Sequence, residues 1–251
     1  MKYFDCTLSS PAANLAADEA LLDWTEGGDG GEVLRFWESP EYFVVVGYAN
    51  KIAAEVNGAA CKAQGIPILR RCSGGGTVVQ GPGCLNYALV LRISQDGPLR
   101  NISTANRFIM ERNRAAIASL RPVRGTAGGD ATTPGVIRVR GHTDLCLGNL
   151  KFSGNSQRRR KRSLLFHGTF LLKFDLSLIA ELLLPPSRQP AYRQSRPHAG
   201  FLTNLGAPAE AVKSALQKFW GAQEALMNPP VSAISALEQY RYTIAGWNYK
   251  F

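Results

Sequence analysis

The sequence predicts an α/β (α+β) fold in which a mixed β-sheet is flanked by helices. Apolar β-like runs outnumber helical stretches, and several follow one another directly, so the pattern is not the strict alternation of a purely parallel sheet. Hydrophobic residues make up 45% of the chain and charged residues 19%, a globular balance that excludes disordered, fibrous and coiled-coil proteins. At 251 residues the chain buries enough surface to fold without disulfides or a structural metal.

The elements follow in order. Ser10-Pro11 ahead of Asn14, Leu15, Ala16, Ala17, Ala20, Leu21 and Leu22 predicts an N-capped amphipathic helix that stops in the glycines of 27–31. Residues 33–37 and 42–47 predict two strands around Ser39-Pro40. A short helix is expected over 53–64, ended by Gly65, then a strand over 66–70. Residues 84–93 read as a strand, and 103–120 as a helix with a capping serine. Three more strands are expected over 136–140, 144–153 and 164–174, followed by helices over 176–184 and 207–220. No boundary is evident before about residue 205, so one domain is expected, with a core over about 1–205 and a helical extension over about 206–251.

The charge is uneven. The total is +10, yet residues 1–60 hold three basic against ten acidic side chains, and the remainder holds 26 basic against nine acidic. Five positive residues are consecutive, Arg158 to Arg162, between two apolar segments, which reads as a hairpin tip. A field of this sign attracts polyanions: nucleotide phosphates, nucleic acid or an acidic protein. Five cysteines without a C-x-x-C pair, no apolar run of membrane-spanning length and no secretory pattern at the start predict reduced thiols in a cytoplasmic protein.

Three segments carry chemistry. In Arg71-Cys72-Ser73-Gly74-Gly75-Gly76-Thr77-Val78-Val79, the glycines permit close backbone approach to a ligand, and Arg71 suits a phosphate or carboxylate. The segment lacks the Lys-Ser/Thr of a P-loop, and three glycines alone are as often a flexible turn. Lys151 is a single cation in an apolar-flanked strand, which on spacing alone reads as an edge lysine facing water. His167, beside Gly168, reads as a hydrogen-bonded core residue, and no His/Cys/Glu cluster has metal-ligand spacing.

The order of these segments resembles the lipoate-protein ligases, in the superfamily that also holds biotin ligases and lipoyl or octanoyl transferases. The resemblance runs from Asn14-Leu-Ala-Ala-Asp-Glu-Ala-Leu-Leu22 through Val46-Gly47-Tyr-Ala-Asn50, Arg70-Arg71-x-Ser-Gly-Gly-Gly76 and Asn86. It continues over Thr143-Asp144-Leu145, Lys151 to Gln157 and His167-Gly168-Thr169, and fades near Thr203-Asn204-Leu205. The Gly-Arg-Gly-Arg-type loop of the biotin ligases is absent.

The resemblance implies the catalytic fold of the class II synthetases and biotin-lipoate ligases. It also implies ATP-dependent activation of lipoate or octanoate to an acyl-adenylate, followed by transfer to a lysine of a carrier domain. ATP with Mg2+ as counter-ion would be the co-substrate. Arg71, Ser73, Gly74–Gly76, Thr77, Val78, Val79, Asn86 and Asp144 would surround the adenylate, with Lys151 contacting both phosphate and acyl carbonyl. Asp144 marks a place where a magnesium ion could be held, and Gly154, His167 and Gly168 would shape the acyl pocket. The implied partner is an acidic lipoyl-carrier domain of a 2-oxoacid dehydrogenase or glycine cleavage protein, steered by Arg158–Arg162; nucleic acid is the weaker alternative.

Two departures matter. Ligases of this family usually follow the glycines with His-Asp-x-Gly-Asn, whereas this chain reads Gln80-Gly81-Pro82-Gly83-Cys84. The accessory ligase domain is also expected to be absent, so that a separate subunit is needed for adenylation or dispensed with. The first alternative is an octanoyl or lipoyl transferase, whose catalytic cysteine has no counterpart in 136–143 or 165–200. The second is a non-catalytic protein that binds lipoate or a lipoyl domain.

Overall fold

A computed structural model of the protein describes residues 1–120 and 136–251. Helix α1 (Pro11–Gly27) starts where the Ser10 side chain accepts the Ala13 N–H and ends at left-handed Gly28. It is not amphipathic: every residue from Ala12 to Leu22 is buried. The reason is its position between two sheets.

The larger sheet has eight strands: β1 (Lys2–Asp5), β2 (Val33–Trp37), β6 (Cys84–Arg92), β7 (Ile137–Arg140), β8 (Asp144–Leu147), β9 (Leu150–Arg159), β10 (Ser163–Leu171) and β11 (Glu224–Ala225). Their order is β11-β1-β2-β6-β10-β9-β8-β7; β1 is parallel to both neighbours and the remaining pairs are antiparallel. The smaller sheet is β3 (Phe43–Val46) between β4 (Ile68–Arg70), parallel, and β5 (Val78–Gln80), antiparallel.

Alternation along the central strands sorts the two faces. Tyr87 and Leu89 of β6 and Phe166 and Phe170 of β10 pack with Ile109 and Met110 of α4 (Ile102–Ala118) and Leu216 and Trp220 of α6 (Ala209–Trp220). Ala88, Val90 and Leu165 face the opposite way, onto Leu21 and Leu22 of α1. The other flank of α1, Ala12, Leu15 and Ala16, meets Phe43, Val45 and Leu69 of the small sheet, together with Ile234 of α7 (Val231–Leu237) and Tyr242.

Several expected elements divide or shift. The helix expected over 53–64 is two, α2 (Ile52–Glu55) and α3 (Gly58–Ala63), because Val56 bridges Leu183 and Asn57 caps α3. The strand expected over 144–153 is the hairpin β8–β9, turning at left-handed Gly148. Asn101, not a serine, caps α4. Helix α5 (Leu176–Leu182) follows β10, capped by Asp175. Residues 206–251 are not only helical: β11 joins the large sheet, and α8 (Ala245–Asn248) packs beside β4.

Candidate active site

The glycine-rich loop leaves β4 at two arginines that part company. Arg70 turns behind the loop and donates to the carbonyls of Gly47 and Asn50, both at 2.8 Å, while its own backbone is held by Asn248 and Trp247. Arg71 turns into the loop. Its Nε donates to Ser73 Oγ at 3.0 Å, and its terminal nitrogen donates to the carbonyls of Gly74 and Gly76 at 2.5 and 2.7 Å. With these carbonyls turned inward and Gly75 at φ +85°, Gly74, Gly75 and Gly76 stand exposed. Among the described residues nothing accepts from their N–H groups. Arg71 is buried among a hydroxyl and carbonyls with no carboxylate among these partners, and burial lowers its pKa to about 10. A buried cation without a carboxylate partner, beside N–H groups that no described residue accepts from, is an arrangement able to receive an anion.

Ser73 Oγ lies 2.6 Å from His167 Nε2, and His167 Nδ1 lies 2.9 Å from Asp18 Oδ2. Asp18 Oδ1 in turn accepts from Arg35 at 2.6 Å. All four side chains are buried. Burial alone would raise the Asp18 pKa, but the Arg35 charge and the His167 hydrogen bond hold it below the usual carboxylate value. His167 thus has a partner on each ring nitrogen, as the core reading of its sequence position expects.

Lys151 stands at the start of β9, clamped at its backbone: its N–H donates to Phe201 O and its carbonyl accepts from Thr203, both at 2.9 Å. Its ammonium pairs with Asp144 Oδ1 at 2.8 Å, and Tyr192 donates to Asp144 Oδ2 at 2.7 Å. Tyr192 belongs to a segment over 190–203 that runs through two consecutive left-handed non-glycine residues, Gln194 (φ 51°) and Ser195 (φ 57°). The Lys151 ammonium occupies the space where a side chain at Gly154 would begin, 2.7 Å from an ideal Cβ there. Gly154 and Ser156 share one face of β9, and Ser156 donates to the Gly74 carbonyl at 2.8 Å. The ammonium and the glycine loop therefore lie over the same face of one strand, about two residues or roughly 7 Å apart along it.

The structure thus brings Arg71, Ser73, Gly74, Gly75, Gly76, Asp144, Lys151, Gly154 and His167 to one side of the large sheet. Thr77 borders this group, its hydroxyl accepting from Asn50 at 3.2 Å. Val78 and Val79 form the strand that follows, paired with Val45 and Val44. Asn86 is in the ladder opposite Thr169, but its side chain donates to Cys84 O and touches none of the site side chains by a hydrogen bond. Gly168 faces the other way, against Asn155, which bonds Tyr87 on the α4–α6 side. Strand parity separates it from His167. Gln80, in the position of the usual histidine, is buried with its Oε1 unpartnered.

The donor set does not fit a metal ion held by Asp144. Both carboxylate oxygens are engaged, by Lys151 and Tyr192, and among the described residues no group of three His, Cys, Asp or Glu side chains could hold an ion.

The basic run forms the β9–β10 turn, as expected, and two of its five charges are paired within the fold. Arg160 pairs with Asp23 at 2.8 Å and Arg162 with Glu26 at 4.0 Å, both acids on α1. Arg159 donates to Leu99 O at 2.8 Å. Two acids of the first 60 residues, Asp23 and Glu26, thus offset part of the charge that the run would turn toward an acidic carrier domain.

The thiols of Cys72 and Cys84 are pushed up to about 12 by burial, and that of Cys146 is raised for the same reason. Two surface depressions, of about 640 and 600 Å³, lie elsewhere, beside Trp24 and Met227 and beside Arg107 and Phe108.

Sequence reading missed three contributors. Asp18 was visible only as a carboxylate inside an apolar helix, a placement that demands a partner. Ser156 sits within the quoted Lys151–Gln157 motif but carries no signal of its own. Tyr192 arrives from 48 residues away from Asp144, and nothing local marks it.

Comparison with known proteins identifies the family and the fold. Residues 10–218 match the model of the lipoyl protein ligase A/B catalytic domain. Subunit 1 of lipoate-protein ligase A from Thermoplasma acidophilum is 31% identical over 176 residues, 70% of this chain and 64% of that protein. The octanoyltransferase LipM of Geobacillus kaustophilus is 24% identical over 99% of this chain and 98% of its own. Among solved structures, a lipoate-protein ligase A bound with ATP superposes with a TM-score of 0.75 at 25% identity, covering 99% of both chains. A bi-partite lipoate protein ligase studied with its E2 lipoyl domain, from Thermoplasma acidophilum, gives 0.76 at 22% identity over 99% of this chain and 96% of that one. The mixed sheets flanked by helices are those of the lipoate-protein ligases, and the chain belongs to the lipoyl protein ligase A/B catalytic-domain family.

Proposed function

We propose that the protein is an ATP-dependent lipoate- or octanoate-protein ligase. The observation that carries this reading is the pairing of a buried, carboxylate-free Arg71 and outward N–H groups with an ammonium, Lys151, over the same strand face. The two partial reactions put their charge where these groups stand. The acid's carboxylate attacks the α-phosphorus of ATP, forming acyl-adenylate and releasing pyrophosphate. A carrier lysine amine then attacks the acyl carbon, forming the amide and releasing AMP. Both transition states develop charge on phosphate and carbonyl oxygens, which fixed donors stabilise. Arg71 and the N–H groups of Gly74–Gly76 would hold the phosphate, and Lys151 would leave Asp144 to bridge phosphate and acyl carbonyl. Magnesium would arrive as the counter-ion of ATP. His167, occupied on both nitrogens, would hold the site rather than move a proton.

A second reading, transfer of the acyl group between carriers, is favoured by the full-length similarity to LipM. Against its usual cysteine chemistry stand the thiols, buried and raised in pKa at Cys72, Cys84 and Cys146. An acidic lipoyl domain is the proposed acceptor, with or without an accessory subunit; the bi-partite ligase with its E2 lipoyl domain supports a lipoyl-domain acceptor and the use of a second subunit.

Intact-mass spectrometry of an apo lipoyl domain decides. A mass increase of one lipoyl or octanoyl group that requires free acid and ATP establishes the ligase. An increase only with an acylated carrier as donor, without ATP, establishes the transferase. Lys151→Ala should lower the ligase rate at least about 100-fold, the loss typical of a removed transition-state donor.

A further inference from the structure

Five buried side chains form one continuous path from the floor of the fold to the glycine loop: Arg35, Asp18, His167, Ser73 and Arg71. With the His167 ring neutral, their donors and acceptors admit one consistent direction. Asp18 is ionised and bonded to Arg35, so it accepts from His167 and Nδ1 carries the proton. In the neutral ring Nε2 is then an acceptor, and Ser73 donates its hydroxyl proton to it. That leaves the Ser73 lone pairs for the Nε–H of Arg71. Every proton along the path points toward Asp18.

We propose that Asp18, His167 and Ser73 are positioning residues that orient Arg71, and through it the Gly74–Gly76 cradle, for the phosphate and acyl-carboxyl oxygens of an acyl-adenylate. The inference rests on the ligase reading for its ligand, and on the geometry alone for the relay. Arg71 reaches the Gly74 and Gly76 carbonyls only while its guanidinium plane is fixed, and among the described residues Ser73 is the one side-chain acceptor on its Nε. A hydroxyl free to rotate could turn its proton toward Arg71 and repel it. The His167 acceptor prevents this, and the Asp18 carboxylate fixes the tautomer that makes Nε2 an acceptor. Ser, His and Asp in this order also form nucleophilic triads. Here Ser73 is fully buried and already accepts from Arg71, so the same residues serve as a support.

Two measurements test the relay. The chain has three histidines, so ¹⁵N-histidine labelling with long-range ¹H–¹⁵N correlation resolves them, and the His167 signals are those lost in His167→Gln. At neutral pH without ligand, His167 should carry its proton on Nδ1 and none on Nε2; the opposite tautomer, or averaging between the two, overturns the proposal. Second, a non-hydrolysable acyl-sulfamoyl adenosine is titrated calorimetrically into wild type, Ser73→Ala and His167→Gln. Both variants should bind at least about tenfold more weakly, the range for one hydrogen bond to a charged group. Their melting temperatures, measured alongside, separate a lost cradle from a lost fold. If His167→Gln does not fold, Ser73→Ala, which removes a single hydroxyl, carries the test. Unchanged affinity in a folded Ser73→Ala overturns the relay, as does covalent labelling of Ser73 by a fluorophosphonate. A wild-type chain that does not bind the analogue counts against the ligase reading, and the tautomer then decides the relay alone.

Discussion

Two residues far apart in sequence decide how the site's charges are held. Tyr192 donates to the Asp144 oxygen that Lys151 leaves free, and burial raises the Tyr192 pKa, so the phenol remains a donor throughout the working pH range. Tyr192→Phe removes this donor while keeping the ring that tilts against Phe201. Steady-state kinetics should show kcat/KM falling by roughly tenfold or more, since a hydrogen bond to a charged group is worth about 1.5–3 kcal/mol. Unchanged kcat/KM would mean that Lys151 needs no such support. Asp18 gives a pH signature. Its folded pKa lies below its unfolded value, so its ionisation contributes stability that is present above about pH 4 and lost as pH falls through the folded pKa. Asp18→Asn leaves Arg35 a buried cation without its carboxylate, which should cost about 3–5 kcal/mol at pH 7. Denaturant melts should show the gap to wild type closing as the pH is lowered below 4; a gap that stays constant would mean the pair contributes nothing through its charge.

Strand β9 concentrates the site because its alternation places Gly154 and Ser156 on one face, with the Lys151 amine laid across the glycine. Gly154→Ala would put a methyl where that amine lies, and since the obstacle is the far end of a flexible side chain, the lysine moves and the backbone does not. We expect acyl transfer to fall about 100-fold, as for loss of a transition-state donor, with a melting temperature within a few degrees of wild type. A variant that unfolds instead would show that Gly154 serves packing. This strand also shows what the sequence could and could not reveal. Caps and apolar runs act over a few residues, so α1, β2, β3, β10 and the basic turn are legible in place. The turn within 144–153 is hidden because Leu145, Cys146, Leu147 and Leu150 keep the stretch apolar across Gly148-Asn149. The motifs of the site are legible through family resemblance. Their supports are set by tertiary approach: the apolar helix around Asp18 says that it needs a partner but not that the partner is His167, and nothing local marks Tyr192 for Asp144.

Across the whole molecule, the +10 charge is partly internal bookkeeping and partly an external field. The β9–β10 turn is stitched to α1 through Arg160–Asp23 and Arg162–Glu26, with Arg160 also 3.6 Å from buried Glu19. Exposed pairs of this kind each contribute about 0–1 kcal/mol. Replacing Arg160 and Arg162 by Gln should therefore lower the melting temperature by a few degrees, at about 2–4 °C per kcal/mol for a chain of this size. Steering of an acidic carrier domain is a separate matter, because a field acts through total charge over a Debye length and not through cations already paired. The association rate with a lipoyl domain should drop as salt rises from about 50 to 500 mM, a range over which screening shortens from beyond 10 Å to a few Å. The double variant should retain most of that salt slope, because the acids it unpairs on α1 offset only part of a surplus distributed over residues 61–251. A variant that melts like wild type but loses its salt dependence would show the opposite arrangement: a turn free of α1 in solution, acting as the docking element itself.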